Sequence, residues 1–307
     1  MARRGQAMST ATPSPIKLSS PATGEFWEIP VLYEDNDLLA LDKPANLLVS
    51  PDRYDPQRPN LMGLLHRDIA RGAPWAKQRS LAYLSNVHRL DFETTGVLLL
   101  TRSKSTLIHL ANQFGNQTPI KEYLALIQGP PAESSFVVDQ KIAPFPGRPG
   151  HMRVDPKHGK RSRTEFFTLE SFRGYTWMKG LPRTGRTHQL RVHLAFLRHP
   201  IVGDRMYGGR PLLLSKLKPG YRLKSDRTER PLLQRVSLHA SRLTVIHPVT
   251  SETITIASPL PKDLRVALKY LRQFAALSTP PNRPQRSALP GDGLDQTDGD
   301  ESGTDQQ

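Results

Sequence analysis

Residues 86–100, NVHRLDFETTGVLLL, place an ionisable cluster just before an aliphatic run, and this pattern constrains the fold more than any other in the chain. The aliphatic run at 97–100 predicts a buried β-strand, with Asp91 at the mouth of that strand and a cation beside it. Removing a carboxylate from water is costly unless the carboxylate is paired or hydrogen-bonded. Asp91 is therefore either a turn residue whose side chain bonds its own backbone or a functional group.

Hydrophobic periodicity in the rest of the chain predicts more strands than helices. Segments with the length and aliphatic or β-branched content of strands occur at 31–33, 38–42, 97–101, 123–128, 164–170, 176–181, 243–247 and 253–257. Apolar residues recur at the three- and four-residue spacing of helices at 61–70, 104–114, 187–197 and 262–274. Strands and helices do not alternate regularly, which disfavours a doubly wound nucleotide-binding fold. We expect an α+β fold, with a mixed, largely antiparallel β-sheet and flanking helices.

Composition divides the chain into three parts. Residues 1–25 are rich in Ser, Thr, Ala and Pro without hydrophobic periodicity, which predicts a disordered N-terminal segment. Residues 278–307 are dominated by Pro, Gly, Asp and Gln and predict an acidic disordered tail, which leaves 26–277 as the structured body. The N-terminal segment has no apolar core of a secretory signal, and its prolines disfavour the amphipathic helix of a transit peptide, so we expect a cytoplasmic protein.

The charge distribution indicates a polyanionic partner. The chain carries a formal net charge of +15, and its last 30 residues hold two arginines against six acidic residues, so the remainder carries +19. Nucleic acid is the usual partner of so basic a body, although a solvated basic surface is the alternative. Cysteine is absent, which excludes disulfides, thiolate zinc sites and a cysteine nucleophile. No aliphatic run approaches the roughly 20 residues of a membrane span, so we expect no membrane association.

Further short motifs follow the HRLD segment at 88–91. Residues 121–129, KEYLALIQG, read as a strand with a tyrosine near its start, and residues 185–194, GRTHQLRVHL, open a helix with basic residues. Residues 199–204, HPIVGD, and 238–240, LHA, come after them. In this order and spacing the motifs resemble the RluA-type RNA pseudouridine synthases, and the resemblance extends from about residue 29 to about residue 261. It implies that 26–277 is a pseudouridine synthase catalytic domain.

The resemblance implies a reaction and three catalytic residues. Such enzymes break the bond between uracil N1 and ribose C1′, turn the base and rejoin it through C5. Asp91 matches the aspartate that acts at the sugar, either by attacking C1′ or by removing the 2′ proton. Tyr123 matches the tyrosine that stacks on the target uracil and assists loss of the C5 proton, and Arg191 matches the arginine that pairs with Asp91. Without the resemblance, Tyr123 would be an ordinary half-buried strand tyrosine and Arg191 a helix-surface arginine.

Other residues of the same motifs are candidates for RNA binding. Arg89 lies two residues before Asp91, so both side chains project to the same side of an extended backbone. The matching arginine in family members can enter the RNA stack, whereas the alternative for Arg89 is a plain ion pair with Asp91. A helix start offers free backbone amides to an anion, such as an RNA phosphate. His88 is a further RNA-binding candidate. The others lie at this expected helix start, where they either bind phosphate or support the Asp91 loop: Arg186, Thr187 and His188.

A basic loop with Lys157, Lys160, Arg161 and Arg163 either follows the RNA backbone or is simply solvated.

Departures from the family pattern leave the RNA target open. Thr95 stands where many relatives have serine, and no S4-type RNA-binding domain is expected before residue 29. His188 and His193 are five residues apart, which does not suit a helical metal site, so we expect no metal and no cofactor. We expect a monomer that acts on structured RNA, either ribosomal RNA or transfer RNA. The alternative is a noncatalytic RNA-binding or ribosome-associated protein on the same scaffold.

Overall fold

A ten-stranded sheet is the scaffold of the protein, in a computed structural model that describes residues 13–53, 55–223 and 227–277. In chain order the strands are β1 Ile16–Ser19, β2 Phe26–Ile29, β3 Val31–Glu34, β4 Leu38–Lys43, β5 Ser85–Asn86, β6 Thr95–Thr101, β7 Ile120–Gln128, β8 Ser135–Asp139, β9 Ile142–Pro144, β10 Met152–Val154, β11 Arg163–Phe172, β12 Tyr175–Pro182, β13 Leu238–Ile246 and β14 Thr253–Ala257. The helices are α1 Leu61–Ala70, α2 Pro74–Gln78, α3 Lys104–Gly115, α4 Gln189–Phe196, α5 Leu214–Leu217 and α6 Lys262–Phe274, with a short 3₁₀ helix at Arg205–Tyr207.

Strand β13 occupies the centre of this sheet. The order is β3-β4-β6-β13-β7-β12-β11-β8, with β14 paired to β13 and β5 paired to β6. Strand β13 runs parallel to β6, with His239 opposite Thr95 and Ala240 opposite Gly96, and antiparallel to β7. All other strand pairs of the sheet are antiparallel. The sheet is therefore mixed and largely antiparallel, as the sequence predicts.

A glycine permits the close approach of β6 and β13. Gly96 has a φ of +114°, and a Cβ atom at this position would lie 2.1 Å from the backbone oxygen of Ala240. Glycine alone combines that backbone angle with so near a neighbour. Gly96 thus permits β6, the strand that follows Asp91, to pair with β13.

Helix α6 shows why the flanking helices form where the sequence predicts them. Its apolar residues Leu264, Ala267, Leu268 and Leu271 recur at three and four positions, so one face of the helix is buried. This face joins a core cluster that includes Trp177 of β12. Each fully buried leucine contributes roughly 1.5–3 kcal/mol of apolar burial.

None of the helices in the described ranges has the combined length and apolarity that a membrane crossing requires.

The predicted elements agree with the structure apart from small shifts at their ends. All eight predicted strands occur, and the helices predicted at 61–70 and 262–274 match residue for residue. The helix predicted at 187–197 is α4, which begins two residues later, at Gln189. The sequence did not predict the short strands β8, β9 and β10, nor the short helices α2 and α5.

The prediction of disorder for 1–25 is wrong over part of that range. Strand β1 pairs with β2, and its alternate residues Ile16 and Leu18 are fully buried in the core cluster of α1 and β4. The apolar alternation spans only four residues within a Ser- and Pro-rich context, so composition conceals a strand that packing stabilises. The structured body therefore begins before residue 26. Residues 1–12 and the predicted acidic tail at 278–307 lie outside the described residues.

Candidate active site

The Asp91 carboxylate lies at a cavity of about 370 Å³. Asp91 begins a tight turn between β5 and β6, in which the Thr94 amide donates to the Asp91 carbonyl at 3.1 Å. The carboxylate receives its hydrogen bond from Arg191 of α4, far along the chain, and its side chain is 21 % exposed. The backbone of the turn thus holds Asp91 in place, while its side chain points to a distant element.

All eight residues predicted for the site line this one cavity. Four elements contribute them: the segment before β6, strand β7, the loop after β12 and the first turns of α4. They are His88, Arg89, Asp91, Tyr123, Arg186, Thr187, His188 and Arg191. Apolar and polar neighbours complete the wall, among them Leu90, Phe114, Lys121, Leu190 and Leu238.

Arg191 faces Asp91 but is held by another carboxylate. Its Nη1 lies 3.3 Å from Asp91 Oδ2, whereas Nε and Nη2 donate to Asp204 Oδ2 and Oδ1 at 2.7 and 2.9 Å. The guanidinium also lies over the Tyr207 ring, 5.0 Å from its centroid. A two-point pairing of Arg191 with Asp91, as a guanidinium would permit, is not found; the two-point partner is Asp204. Asp204 is fully buried, so water cannot hydrogen-bond to its carboxylate oxygens, and Arg191 satisfies both of them.

The charge of Arg191 is secured by these carboxylates. Burial alone would lower the pKa of Arg191, but the hydrogen bonds and charge of Asp204, together with the charge of Asp91, outweigh burial and raise that pKa. Arg191 is therefore a permanent cation at the cavity wall. A fixed cation is what keeps a partly buried carboxylate ionised.

Tyr123 presents a protonated phenol to the same cavity. It lies on β7, and its ring packs against two core clusters, one with Leu98 and Leu100 of β6 and one with Leu190 of α4. Burial, and then the negative charge of Asp91, raise the pKa of Tyr123 well above its ordinary value. The hydroxyl can therefore donate a hydrogen bond at every physiological pH, and an aromatic ring at the cavity wall offers a flat surface to a base.

His88 and Arg89 differ in their freedom although they are neighbours. His88 Nε2 accepts a hydrogen bond from the Leu99 amide at 3.0 Å, and its ring stacks on Phe114 with centroids 5.2 Å apart. Burial and then the charge of Lys121 lower the pKa of His88 to about 4, so the imidazole is neutral. Arg89 is exposed at the cavity and makes no hydrogen bond or ion pair with the residues that the structure describes. The alternative of an ion pair between Arg89 and Asp91 therefore does not hold in this structure.

The residues before α4 form a hydrogen-bonded loop and not a helix start with free backbone amides. The Arg186 amide donates to the Gln189 side chain at 3.0 Å, so it is not free to bind an anion in this arrangement. Thr187 is exposed, and His188 adopts a left-handed conformation with a φ of +55°. The structure thus brings these residues to the cavity as a loop, before the helix begins at Gln189.

His188 turns one ring nitrogen towards Asp91. Its Nδ1 lies 2.8 Å from the Tyr207 hydroxyl oxygen, which accepts from the Met152 amide at 2.9 Å. This arrangement favours donation from the Tyr207 hydroxyl to Nδ1 and places the imidazole proton on Nε2, 3.9 Å from Asp91 Oδ1. Burial lowers the pKa of His188 and so favours the neutral ring, although the negative charge of Asp91 acts in the opposite direction.

Sequence reasoning missed Lys43 and Asp204 as residues of this site. Lys43 ends β4, is fully buried, and donates through Nζ to the carbonyls of Pro44, Leu47 and Phe92 at 2.7, 2.8 and 3.3 Å. Phe92 directly follows Asp91, so Lys43 supports the turn that carries the carboxylate. The signals were present: Lys43 is a charge at the end of an aliphatic segment, and Asp204 ends the motif at 199–204.

One cluster of possible metal ligands lies elsewhere, and internal hydrogen bonds account for it. In the described part of the chain, Asp35, Asp37 and His247 bring one ligand atom each within 4.8 Å of one another. Asp35 accepts from the Tyr33 hydroxyl at 2.6 Å and from the His247 ring at 3.0 Å. His247 Nδ1 accepts two backbone amides, so its proton is on Nε2 and faces Asp35. The cluster ties two turns together, and no residue of the cavity belongs to it.

Comparison with known proteins gives a consistent picture. A family model described as RNA pseudouridylate synthase matches residues 37–196. The ribosomal large subunit pseudouridine synthase D of Xylella fastidiosa is 36 % identical over 249 residues, which are 80 % of this chain and 70 % of that protein. The protein of the same name from Haemophilus ducreyi is 32 % identical over 242 residues, 79 % of this chain and 70 % of its own length.

Solved structures show the same fold. Human RNA Pseudouridylate Synthase Domain Containing 4 superposes with a TM-score of 0.58 at 26 % identity, covering 79 % of this chain and 92 % of that chain. Human RNA Pseudouridylate Synthase Domain Containing 1 gives a TM-score of 0.55 at 26 % identity, covering 76 % of this chain and 84 % of that chain. The α+β fold predicted from the sequence is confirmed.

Proposed function

Because this chain belongs to the RNA pseudouridylate synthase family and is an RNA pseudouridine synthase, we propose that its substrate is a uridine of large-subunit ribosomal RNA and that Asp91 acts at its ribose. The ribosomal target is supported by the names of relatives at 32–36 % identity, such as those from Xylella fastidiosa and Haemophilus ducreyi. The role of Asp91 is supported by one observation: its carboxylate faces both a fixed cation and a cavity that Tyr123 lines.

The reaction needs no group beyond those at the cavity. The C1′–N1 bond of uridine breaks, a C1′–C5 bond forms, the proton at C5 leaves and N1 gains a proton. Asp91 assists either by attacking C1′, which gives a covalent ester, or by removing the 2′ proton, which gives a glycal. Both routes require an ionised carboxylate with an accessible oxygen.

Three further residues take roles that suit their environment. Tyr123 stacks on the flipped uracil, because a base removed from its helix must be gripped by an aromatic or apolar surface. Its phenol then assists loss of the C5 proton. Arg191 places a fixed positive charge beside Asp91. The exposed Arg89 is placed to stack in the RNA or to hold a phosphate, since a guanidinium can do both.

The loop at 186–188 completes the proposed RNA contact. Arg186 and Thr187 are exposed at the cavity rim, and the Arg186 guanidinium donates to the Arg161 carbonyl at 3.1 Å, which joins the rim to the basic loop. A strongly basic body holds RNA mainly through its phosphates. His88 and His188 are neutral and internally bonded, so we assign them to the support of the Asp91 segment rather than to phosphate.

Tritium release from RNA labelled at uridine C5 tests the proposal. Transcripts of large-subunit ribosomal RNA and of transfer RNA are incubated with wild type, with Asp91→Asn and with the control Asp139→Asn. This control removes an exposed carboxylate that pairs with Arg163 and does not line the cavity. We expect release from the ribosomal transcript by wild type and control, and none by Asp91→Asn, which still binds RNA. Release by Asp91→Asn at the wild-type rate would exclude Asp91 from the chemistry. Binding without release by wild type would support the noncatalytic alternative, and release from transfer RNA alone would overturn the ribosomal assignment.

A further inference from the structure

Asp204 is a fully buried carboxylate that does not line the cavity but contacts Arg191, which does. Both of its oxygens accept from Arg191, at 2.7 and 2.9 Å. Its burial is complete, whereas the Asp91 carboxylate is 21 % exposed at the cavity. Two carboxylates therefore share one guanidinium: Asp204 lies inside the protein, and Asp91 faces the substrate space.

The backbone around Asp204 is built for this placement. Gly203 has a φ of +82°, and a Cβ there would lie 2.2 Å from the Arg235 carbonyl oxygen. At Gly209 a Cβ would lie 1.9 Å from the Ile201 carbonyl oxygen. The amides of Tyr207 and Gly209 both donate to the Asp204 carbonyl, at 3.1 and 2.7 Å. The backbone of this turn is therefore compact, and the side chain of Asp204 is held by its two contacts with Arg191.

Sharing the guanidinium determines what Arg191 can offer to Asp91. The edge that carries Nε and Nη2 is occupied by Asp204, so only Nη1 reaches Asp91, at 3.3 Å. If Asp204 were uncharged, Arg191 would be free to turn that edge to Asp91 and bind both of its oxygens. A carboxylate held at both oxygens by a cation is a weaker nucleophile and a weaker base. Two carboxylates therefore face one guanidinium, and Asp91 is the carboxylate that is exposed to the substrate space.

We propose that Asp204 is a positioning residue for the reaction: by holding Arg191 at two points, it leaves Asp91 with a single donor and a reactive oxygen. The inference rests on the proposed role of Asp91. It assigns to Asp204 an effect on the chemical step and none on RNA binding, because its side chain reaches neither solvent nor the cavity.

The test compares Asp204→Asn and Asp204→Glu with wild type in the full-length protein. Asparagine keeps the shape and removes the charge, while glutamate keeps the charge and displaces the guanidinium by one methylene. We expect both to lower the single-turnover rate of tritium release on the order of 100-fold, the effect of misplacing a reacting group by about 1 Å. The dissociation constant for the same RNA, measured by filter binding, should stay within about twofold.

A matched control separates this effect from the loss of any buried ion pair. Glu34→Gln removes a carboxylate that pairs with Arg79, another buried arginine, at 2.9 Å and with Arg102 at 3.5 Å. These groups lie away from the cavity, so the variant should leave the single-turnover rate unchanged. Wild-type rates in both Asp204 variants, with Asp91→Asn inactive, would overturn this proposal alone. Loss of cooperative melting in both would show that Asp204 stabilises the fold rather than orients Arg191, and would also overturn it. An active Asp91→Asn would instead remove the proposed function, and the role of Asp204 with it.

Discussion

Replacing Lys43 with methionine should change how the stability of the protein depends on pH. The lysine is fully buried, and burial lowers its pKa from 10.5 to about 7, against the opposing effect of Asp91. The unfolded chain binds a proton at Lys43 up to about pH 10.5, whereas the folded protein releases it above about pH 7. Between these values the unfolded state holds more protons, so the free energy of unfolding rises with pH.

The size of this effect follows from the two pKa values. A full proton difference changes the free energy of unfolding by about 1.4 kcal/mol per pH unit, and at pH 7 half of the difference is already present. Integrating this proton difference from pH 7 to pH 9 raises the free energy of unfolding of the wild type by about 2 kcal/mol, an increase that Lys43→Met lacks. Below pH 7 the cost of the buried charge is fully present, and the hydrogen bonds to three carbonyls offset part of it.

Urea denaturation at half-unit intervals from pH 6 to pH 9 measures the difference between the two proteins. Taking the difference removes the titration of every group that both share, including Lys121, whose pKa burial lowers to about 8. A Lys121→Met variant provides a comparison: its stability curve should also diverge from that of the wild type, but about one pH unit higher than the curve of Lys43→Met. Parallel stability curves for wild type and Lys43→Met between pH 7 and pH 9 would refute the argument that Lys43 is forced to give up its proton on folding.

Three further outcomes are expected. Tyr123→Phe should bind RNA like the wild type but release tritium more slowly, whereas Tyr123→Ala should lose both properties; equal turnover by the phenylalanine variant in a single-turnover assay would deny the hydroxyl a chemical role. Arg191→Lys should reduce the single-turnover rate on the order of 100-fold, since an ammonium cannot hold Asp204 at two points and still reach the reactive carboxylate; a rate within a few-fold of wild type would contradict this. Gly96→Ala should prevent a cooperative thermal transition, because the added Cβ would meet a backbone oxygen of β13 at 2.1 Å. Gly174 has a φ of +80° and free space around it, so Gly174→Ala should lower the free energy of unfolding by only about 1–2 kcal/mol. Similar melting of the two variants would show that the contact at Gly96 relaxes easily.

The sequence predicted the elements that carry long hydrophobic patterns and the motifs that gather at the cavity. The helix at 262–274 has an uninterrupted apolar stripe, and local spacing suffices to locate it. The site residues near 88, 123 and 191 were found through their motifs, and the structure places them around one cavity. Strand β1 was missed because four residues carry too little periodicity; its pairing with β2 and the burial of Ile16 and Leu18 in the core make it stable.

The contacts between site residues could not be read from the sequence. Arg191 has two carboxylates within reach, and the sequence does not say which will take the two-point contact. That choice depends on burial, which is complete for Asp204 and partial for Asp91. Likewise, the sequence offers His88 as an RNA-binding candidate, whereas the structure shows its Nε2 accepting the Leu99 amide. Both are consequences of tertiary packing, which brings together groups that are distant in the chain.

The central position of β13 has a consequence for biosynthesis. Asp91 precedes β6 and Tyr123 lies on β7, but these two strands pair with β13 between them and not with each other. A growing chain that has produced β6 and β7 still lacks the strand that joins them, and the buried face and edge of β6 remain exposed. Such an edge favours pairing with other chains, so the emerging polypeptide is prone to aggregation until β13 leaves the ribosome. Closure of the sheet and assembly of the cavity are then one folding event, and an incomplete chain carries no partly active site.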